Sequence, residues 1–269
     1  MRSDDEVGLD DIVASFRGEV YGDSPAMTAA WFRDHVARND IDLARSPRWT
    51  VGGELSGAAL LAFRGDRAWV GAFGVVPAFR GRGLARRYLE ESLAIARAAG
   101  ATTIELEVLE NNPGAIRLYE RGGFARIGDL IVWSRAPLAG WKRPRGDAPA
   151  EARDAVSVAA IAGSATCWQR EPASVARAGP SSAVVIGGGE GAGAYAFVRV
   201  EGKRATVLDA GAPDAASARA LLAQLDARWP SQTLILVNEP PSGPLHEALV
   251  TDERWREFAR QRKMLAILR

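Results

Sequence analysis

A turn carrying two glycines, set between an apolar strand and an amphipathic helix, constrains this chain more than any other feature. It reads Val75-Val76-Pro77-Ala78-Phe79-Arg80-Gly81-Arg82-Gly83-Leu84-Ala85. Upstream, Ala68–Val76 is rich in Val, Phe and Trp, the composition of a strand, and Pro77 ends it. Downstream, Leu84, Tyr88, Leu89, Leu93 and Ala96 recur on one face of a helix predicted over Leu84–Ala99, which Gly100 closes. A helix that begins at such a turn presents unpaired backbone N–H groups, where its dipole favours negative charge. That is a site for a phosphate or pyrophosphate. Gly81 and Gly83 allow close approach of a ligand or a left-handed backbone. Arg80, Arg82, Arg86 and Arg87 add cations able to pair with phosphates. Taken alone, these residues also fit a solvated, arginine-rich helix start.

The surrounding pattern alternates helix and strand. Leu9–Val20 and Ala26–Ala37 read as helices, and Arg48–Val51 and Gly57–Phe63 as strands. After the turn and its helix, Thr103–Leu109 reads as a strand in which Ile104, Leu106 and Val108 alternate with Glu105 and Glu107. Pro113–Arg121 is a helix capped by Asn112 with proline at its first position. Phe124–Arg126 and Asp129–Arg135 make two last strands. Three prolines and two glycines between 137 and 155 mark a linker. We expect a first domain over 1–140, a linker over 141–154 and a second domain over 155–269, each of ordinary domain size. The second part echoes the first. Val70–Pro77 returns as Val207–Pro213, Thr103–Asn112 as Thr233–Asn238, and Asp129–Ser134 as Lys263–Leu268. Similarity at a near-constant offset is the signature of an internal repeat.

The spacing Arg80-x-x-Gly83-x-Ala85, after a strand and before an amphipathic helix, resembles the acyl-CoA-binding motif of the GNAT N-acetyltransferase superfamily. One helix and one strand later, Asn112-Pro113-Gly114-Ala115-Ile116-Arg117-Leu118-Tyr119-Glu120-Arg121-Gly122-Gly123-Phe124 resembles that family's second conserved segment. The resemblance is strong over residues 50–135. It implies an α/β GNAT fold, a twisted mixed central sheet with helices on both faces, in two GNAT-like domains in tandem. It further implies acetyl-CoA as cosubstrate. Val75 and Val76 would offer backbone groups to the pantetheine arm. Arg80, Gly81, Arg82, Gly83, Leu84, Ala85 and Arg86 would surround the pyrophosphate. Asn112 would contact the cofactor or orient its acetyl end. Tyr119 would protonate the departing thiolate, or else simply pack beneath its helix. For the base that deprotonates the amine, the strand carboxylates Glu107, Glu105 and Glu110 are the candidates, with Glu107 first. A solvent-facing strand glutamate is the other reading of Glu107.

The second part departs from the motif where it matters. After Val207-Leu208-Asp209-Ala210-Gly211-Ala212-Pro213 no arginine–glycine loop follows, and Asp209 and Asp214 put carboxylates where phosphates would sit. We therefore expect a degenerate domain that walls off substrate, dimerises or stabilises the first. Gly187–Ala192 contains Gly-x-Gly-x-x-Ala but leads into Tyr195-Ala196-Phe197-Val198, a strand, so it reads as a hairpin turn and not a dinucleotide motif. Arg254–Lys263 is basic and reads as a solvated helix or turn.

Charge excludes other classes. With 34 basic and 33 acidic residues the chain has no field of one sign to bind nucleic acid or a membrane surface. One cysteine, Cys167, and two distant histidines, His35 and His246, provide neither a disulfide framework nor a zinc site, so no metal is expected. No apolar run is long enough to span a bilayer, and the acidic start MRSDDEVGLDD is unlike a signal peptide. The expectation is a cytoplasmic enzyme, a homodimer or monomer, that acetylates a small-molecule or peptide amine. The alternative is a non-catalytic acyl-CoA-binding or sensing protein.

Overall fold

The computed structural model describes residues 29–138, 140, 152–153, 166–178, 182–186 and 193–269. In chain order these form α1 (Ala29–Arg38), β1 (Arg48–Val51), β2 (Glu54–Arg64), β3 (Arg67–Val75), α2 (Leu84–Ala98), β4 (Thr103–Leu109), α3 (Pro113–Arg121), β5 (Ala125–Arg135), β6 (Ala152–Arg153), α4 (Pro172–Ala176), β7 (Ser182–Ile186), β8 (Ala194–Glu201), β9 (Arg204–Gly211), α5 (Ala215–Arg228), β10 (Thr233–Glu239), α6 (Pro244–Thr251) and β11 (Trp255–Ile267). The expected helix at Leu9–Val20 and the glycine turn at 187–192 lie outside the described residues, as does the linker apart from Ala152 and Arg153.

The chain's contacts divide it into two compact units. One is the chain up to Gly128 with Arg262–Arg269, and the other is Asp129–Gln261. Both dividing points fall within strands, β5 and β11.

In the first unit the strand order is β1-β2-β3-β4 followed by the end of β11. β1, β2 and β3 pair antiparallel, and β3 and β4 pair in parallel through the α2 crossover. Leu89, Leu93 and Ala96 of α2 bury the face predicted for them, against Leu61, Val70, Ile104 and Leu106. The opposite sheet face meets α1, where the His35 ring lies 5.9 Å from that of Trp69. Helices on both faces explain why β4 is not a half-solvated strand: Glu105 is 6% exposed.

In the second unit the order is β5-β10-β9-β8-β7-β6. β9 and β10 are parallel through α5, and β8 and β9 form an antiparallel hairpin, so the β2-β3-α2-β4 topology returns as β8-β9-α5-β10. Each hairpin carries a bulge, at Leu60/Leu61 in the first and Phe197/Val198 in the second. The core is built on Leu221, Leu222 and Leu225 of α5 packed with Val207, Leu234 and Leu236.

Two expectations are corrected. Phe124–Arg126 and Asp129–Arg135 are parts of one strand, β5. The basic stretch Arg254–Lys263 is not a solvated helix or turn but most of β11. Its charges find partners from a strand: Arg260 Nη2 lies 2.6 Å from Glu257 Oε2 in the second unit, and Lys263 Nζ 3.0 Å from Glu105 Oε2 in the first. Among the described residues no helix is long and apolar enough to cross a membrane.

Candidate active site

The first unit's site follows from where its parallel ladder stops. β3 and β4 are in register only at Arg67↔Thr103, Ala68↔Ile104 and Trp69↔Glu105. Both strands then continue, to Val75 and Leu109, without further pairing. The splay opens a cleft of about 1060 Å³ between Val70–Val75 and Leu106–Leu109, extending to the turn at 79–86 and to α3. That is the upper end of ordinary ligand pockets and suits an extended ligand. Backbone groups of β3 that would have bonded β4 line this wedge.

The glycine turn closes one end. A short helical turn, Pro77–Phe79, buries Phe79 and carries the chain to Gly81 and Gly83, both at φ 76°. Any L side chain is strained there, although a Cβ would meet open space at either position. Gly83 is the N-cap of α2 and offers no side-chain cap, so the first N–H groups of the helix are left for solvent or a ligand. Arg80 Nε donates to the Val75 carbonyl at 3.0 Å, and Val76 N–H donates to Ser56 O at 2.9 Å. Those two strand groups are thus engaged within the chain. Arg82 Nη2 donates to Ala78 O at 3.1 Å with its guanidinium over the Phe79 ring. Arg86, exposed, pairs with Glu90 at 2.8 Å and lines the cleft with Gly83, Leu84 and Ala85.

The predicted residues of the second motif meet the same cleft. Asn112 caps α3, its Oδ1 accepting from Ala115 N at 3.1 Å. Tyr119 is 7% exposed, with its ring edge-on to Phe73 at 6.2 Å and Phe124 at 5.7 Å. Glu107 lies across the wedge on β4 and lines the cleft. Its Oε2 accepts from Trp69 Nε1 at 2.8 Å, while its buried Oε1 has no hydrogen-bond partner among the described residues. Burial pushes its carboxyl up to about 7, and the Glu105 charge adds to the rise while Trp69 and Lys263 oppose it. Glu105, in contrast, is held between Lys263 and Arg67, the latter at 3.5 Å. A carboxyl with one oxygen anchored, the other without a hydrogen-bond partner and an affinity for protons near neutrality can take a proton from a neighbouring group.

The sequence alone singled out neither Trp69 nor Arg170. Arg170 belongs to the second unit's own splay. β9 and β10 are in register up to Val207↔Leu236, then run on to Gly211 and Glu239. Arg170, 5% exposed, fills that gap from the helical turn Trp168–Arg170. Its Nε donates to Asp209 at 2.7 Å, Nη1 to Glu239 at 2.7 Å and to Asn238 O at 3.1 Å, and Nη2 to Ala210 O at 2.5 Å. Burial works against the guanidinium's charge, but Asp209 and Glu239 outweigh it and hold the proton more tightly than usual. Tyr195 donates to the second Asp209 oxygen at 3.0 Å. Asp214 serves as the N-cap of α5, its Oδ1 accepting from Ser217 N at 2.8 Å. Among the described residues no group of His, Cys, Asp and Glu is arranged to hold a metal ion.

A parallel pair that splays over a glycine-led helix is the arrangement that the sequence motifs led us to expect. Residues 10–124 match the acetyltransferase (GNAT) family. The chain is 38% identical over 112 residues to N-alpha-acetyltransferase RimI of Mycobacterium tuberculosis, covering 40% of this chain and 66% of that protein. It is 40% identical over 63 residues to mycothiol acetyltransferase of Geodermatophilus obscurus, 23% of this chain and 20% of that one. The chain thus spans less than two thirds of these relatives. Across 99% of this chain and 96% of the other, the fold matches a tandem GNAT protein from the clavulanic acid biosynthesis pathway, with a TM-score of 0.64 and 18% identity. A GCN5-related N-acetyltransferase from Anabaena variabilis matches over 100% of this chain and 71% of that one, with a TM-score of 0.61 and 16% identity. The likeness to the GNAT family is thus carried by residues 10–124.

Proposed function

We propose that the first unit binds acetyl-CoA in the splayed cleft and transfers the acetyl group to a primary amine. The observation that carries this reading is the course of that one cleft, which runs from the open N-terminus of α2 to Glu107 on β4. The pyrophosphate would lie on the N–H groups that follow Gly83, within reach of Arg80, Arg82 and Arg86. The pantetheine arm would run along the unpaired edge of β3 towards Val75 and Val76. The amide of Asn112 would face it from the start of α3.

Glu107 takes a proton from the ammonium, directly or through water, which a carboxyl with pKa near neutrality does well at physiological pH. The freed nitrogen bonds to the thioester carbonyl carbon, and backbone N–H groups on the β3 edge offset the oxyanion. The carbon–sulfur bond breaks, Tyr119 gives the thiolate its hydroxyl proton, and the resulting phenolate takes up the proton that the nitrogen sheds as it becomes the amide. A phenol has a reference pKa of ~10 against ~8.5 for a thiol, so the transfer needs little driving force.

We further propose that the second unit binds no acyl-CoA. Arg170 supports this reading, because its guanidinium occupies the corresponding splay. The name of one relative, an N-alpha-acetyltransferase, suggests α-amines as first acceptors to try. The test is thiol release from acetyl-CoA across a panel of peptide N-termini, lysine, polyamines, aminoglycosides and amino acids. Amine-dependent release with acetylated product is expected. Tight acetyl-CoA binding with no release for any amine would leave the protein a non-catalytic acyl-CoA binder.

A further inference from the structure

A carboxyl acting as base at the mouth of a splay must be held in one orientation, and the neighbouring strand supplies the hold. Trp69 is the last residue of β3 in register with β4, opposite Glu105, and is 1% exposed. Its side chain crosses the pair diagonally to reach Glu107, two residues further on and on the same sheet face. Diagonal partners on neighbouring strands lie roughly 7–8 Å apart, within the span of an indole. Nε1 donates to Oε2 at 2.8 Å, which leaves Oε1 as the oxygen without a partner.

The indole is itself held from two sides. The bulge between β2 and β3 falls at Gly71, and a Cβ there would lie 2.6 Å from Trp69 Cζ3. The ring therefore lies over Gly71, and this position must be glycine for the ring to do so. From α1, the His35 ring tilts over Trp69 at 5.9 Å. Asn39 holds His35 in turn, its Nδ2 lying 3.1 Å from His35 Nδ1. Burial and the Arg38 charge lower the His35 pKa to about 4, so at neutral pH it packs as an uncharged ring.

We infer that Trp69 is the positioning residue for proton transfer: its indole N–H fixes one oxygen of the Glu107 carboxylate and so sets the orientation of the other, which is left without a partner. The inference rests on the reading of Glu107 as base. The charged groups around the carboxyl are Glu105 beside it on β4, Lys263 on β11 and Arg67 on β3, the last two both against Glu105. Neutral His35 lies behind the indole, and Tyr119 of α3 lines the same cleft. None of these changes when the N–H alone is removed.

The test replaces Trp69 by Phe in the full chain and reads the Glu107 carboxyl by ¹³C NMR of glutamate labelled at Cδ, its resonance assigned by loss in Glu107→Gln. A hydrogen bond to the charged form lowers a carboxyl pKa, so the midpoint should rise from about 7 by roughly one unit. Thiol release from acetyl-CoA over the same amine panel should fall ~10–100-fold in kcat, the order expected for a misplaced catalytic group, with the KM for acetyl-CoA unchanged. In a Glu107→Gln background the Trp69 change should cost nothing further. If the Phe chain does not fold, benzothienylalanine at position 69 keeps the shape and replaces N–H by sulfur, with the same expectations. An unmoved midpoint, or an equal loss of kcat in the Glu107→Gln background, overturns the inference and leaves Trp69 as packing. Wild-type turnover in Glu107→Gln overturns the base itself, and the inference with it.

Discussion

Replacing Glu107 by Gln should make the first unit more stable at alkaline pH while it removes the proposed base. The folded carboxyl titrates at about 7, against a reference value of 4.5. Between those values the folded chain holds a proton that the unfolded chain has released. Stability therefore falls as pH rises through that window, and the loss is complete above the folded value. A shift of about two and a half units corresponds to about 3 kcal/mol, as an order of magnitude. Gln is neutral throughout, and its amide oxygen can still accept from the Trp69 N–H. The variant should thus gain on the wild type across the window and reach a constant advantage of about 3 kcal/mol by pH 8 to 9. At ~2–4 °C per kcal/mol for chains of this size, that is on the order of 6–12 °C in melting temperature. The assay is differential scanning calorimetry of both proteins from pH 4 to pH 9, following the first unit's transition separately if the two units melt apart. A difference in Tm that does not change with pH would refute the argument, because it would mean the buried carboxyl pays no penalty for its charge.

Tyr119→Phe keeps the ring between Phe73 and Phe124 and removes only the proton donor. It should lower kcat by ~10²–10⁴-fold with little change in the KM for acetyl-CoA, and a wild-type kcat where acyl transfer limits turnover would assign the acid elsewhere. Arg170→Met should destabilise the second unit by roughly 3–5 kcal/mol, because it leaves Asp209 and Glu239 buried without their cation. Urea unfolding measures this, and a loss below about 1 kcal/mol would show that the splay is not held by this pair of ion bonds.

Much of the first unit was legible because its signals are local. The extent of α2 follows from its apolar spacing and Gly100, and the cap and proline of α3 fix where that helix begins. The positive φ at Gly81 and Gly83 was readable as one of two reasons for glycine there. What escaped reading depends on partners distant in sequence. β11 carries the charges of a solvated segment, yet Lys263 finds its carboxylate at Glu105. Likewise, Glu107 alternates like an outward strand residue, and only the neighbouring strand's Trp69 and the packing around it make it a half-buried acid with a raised pKa. The value of Trp69 lies in a hydrogen bond across 38 residues. Arg170 reaches carboxylates 39 and 69 residues away, in a splay that its own surroundings in the chain do not announce. Composition marked the chain's division at a proline-rich segment, whereas the contacts divide it inside two strands, where no change of composition is needed.

We propose that a single cleft, opened by the splay of β3 and β4 and closed at one end by the Gly81–Gly83 turn, holds the cosubstrate. Isothermal titration calorimetry of the full chain with CoA tests it most directly, run beside Gly83→Glu, which places a strained side chain and a negative charge at the N-terminus of α2. The account predicts one site per chain in the wild type and none in the variant, whose circular dichroism should remain that of the folded protein. Two equivalent sites per chain, or unchanged affinity in a folded Gly83→Glu, would contradict it.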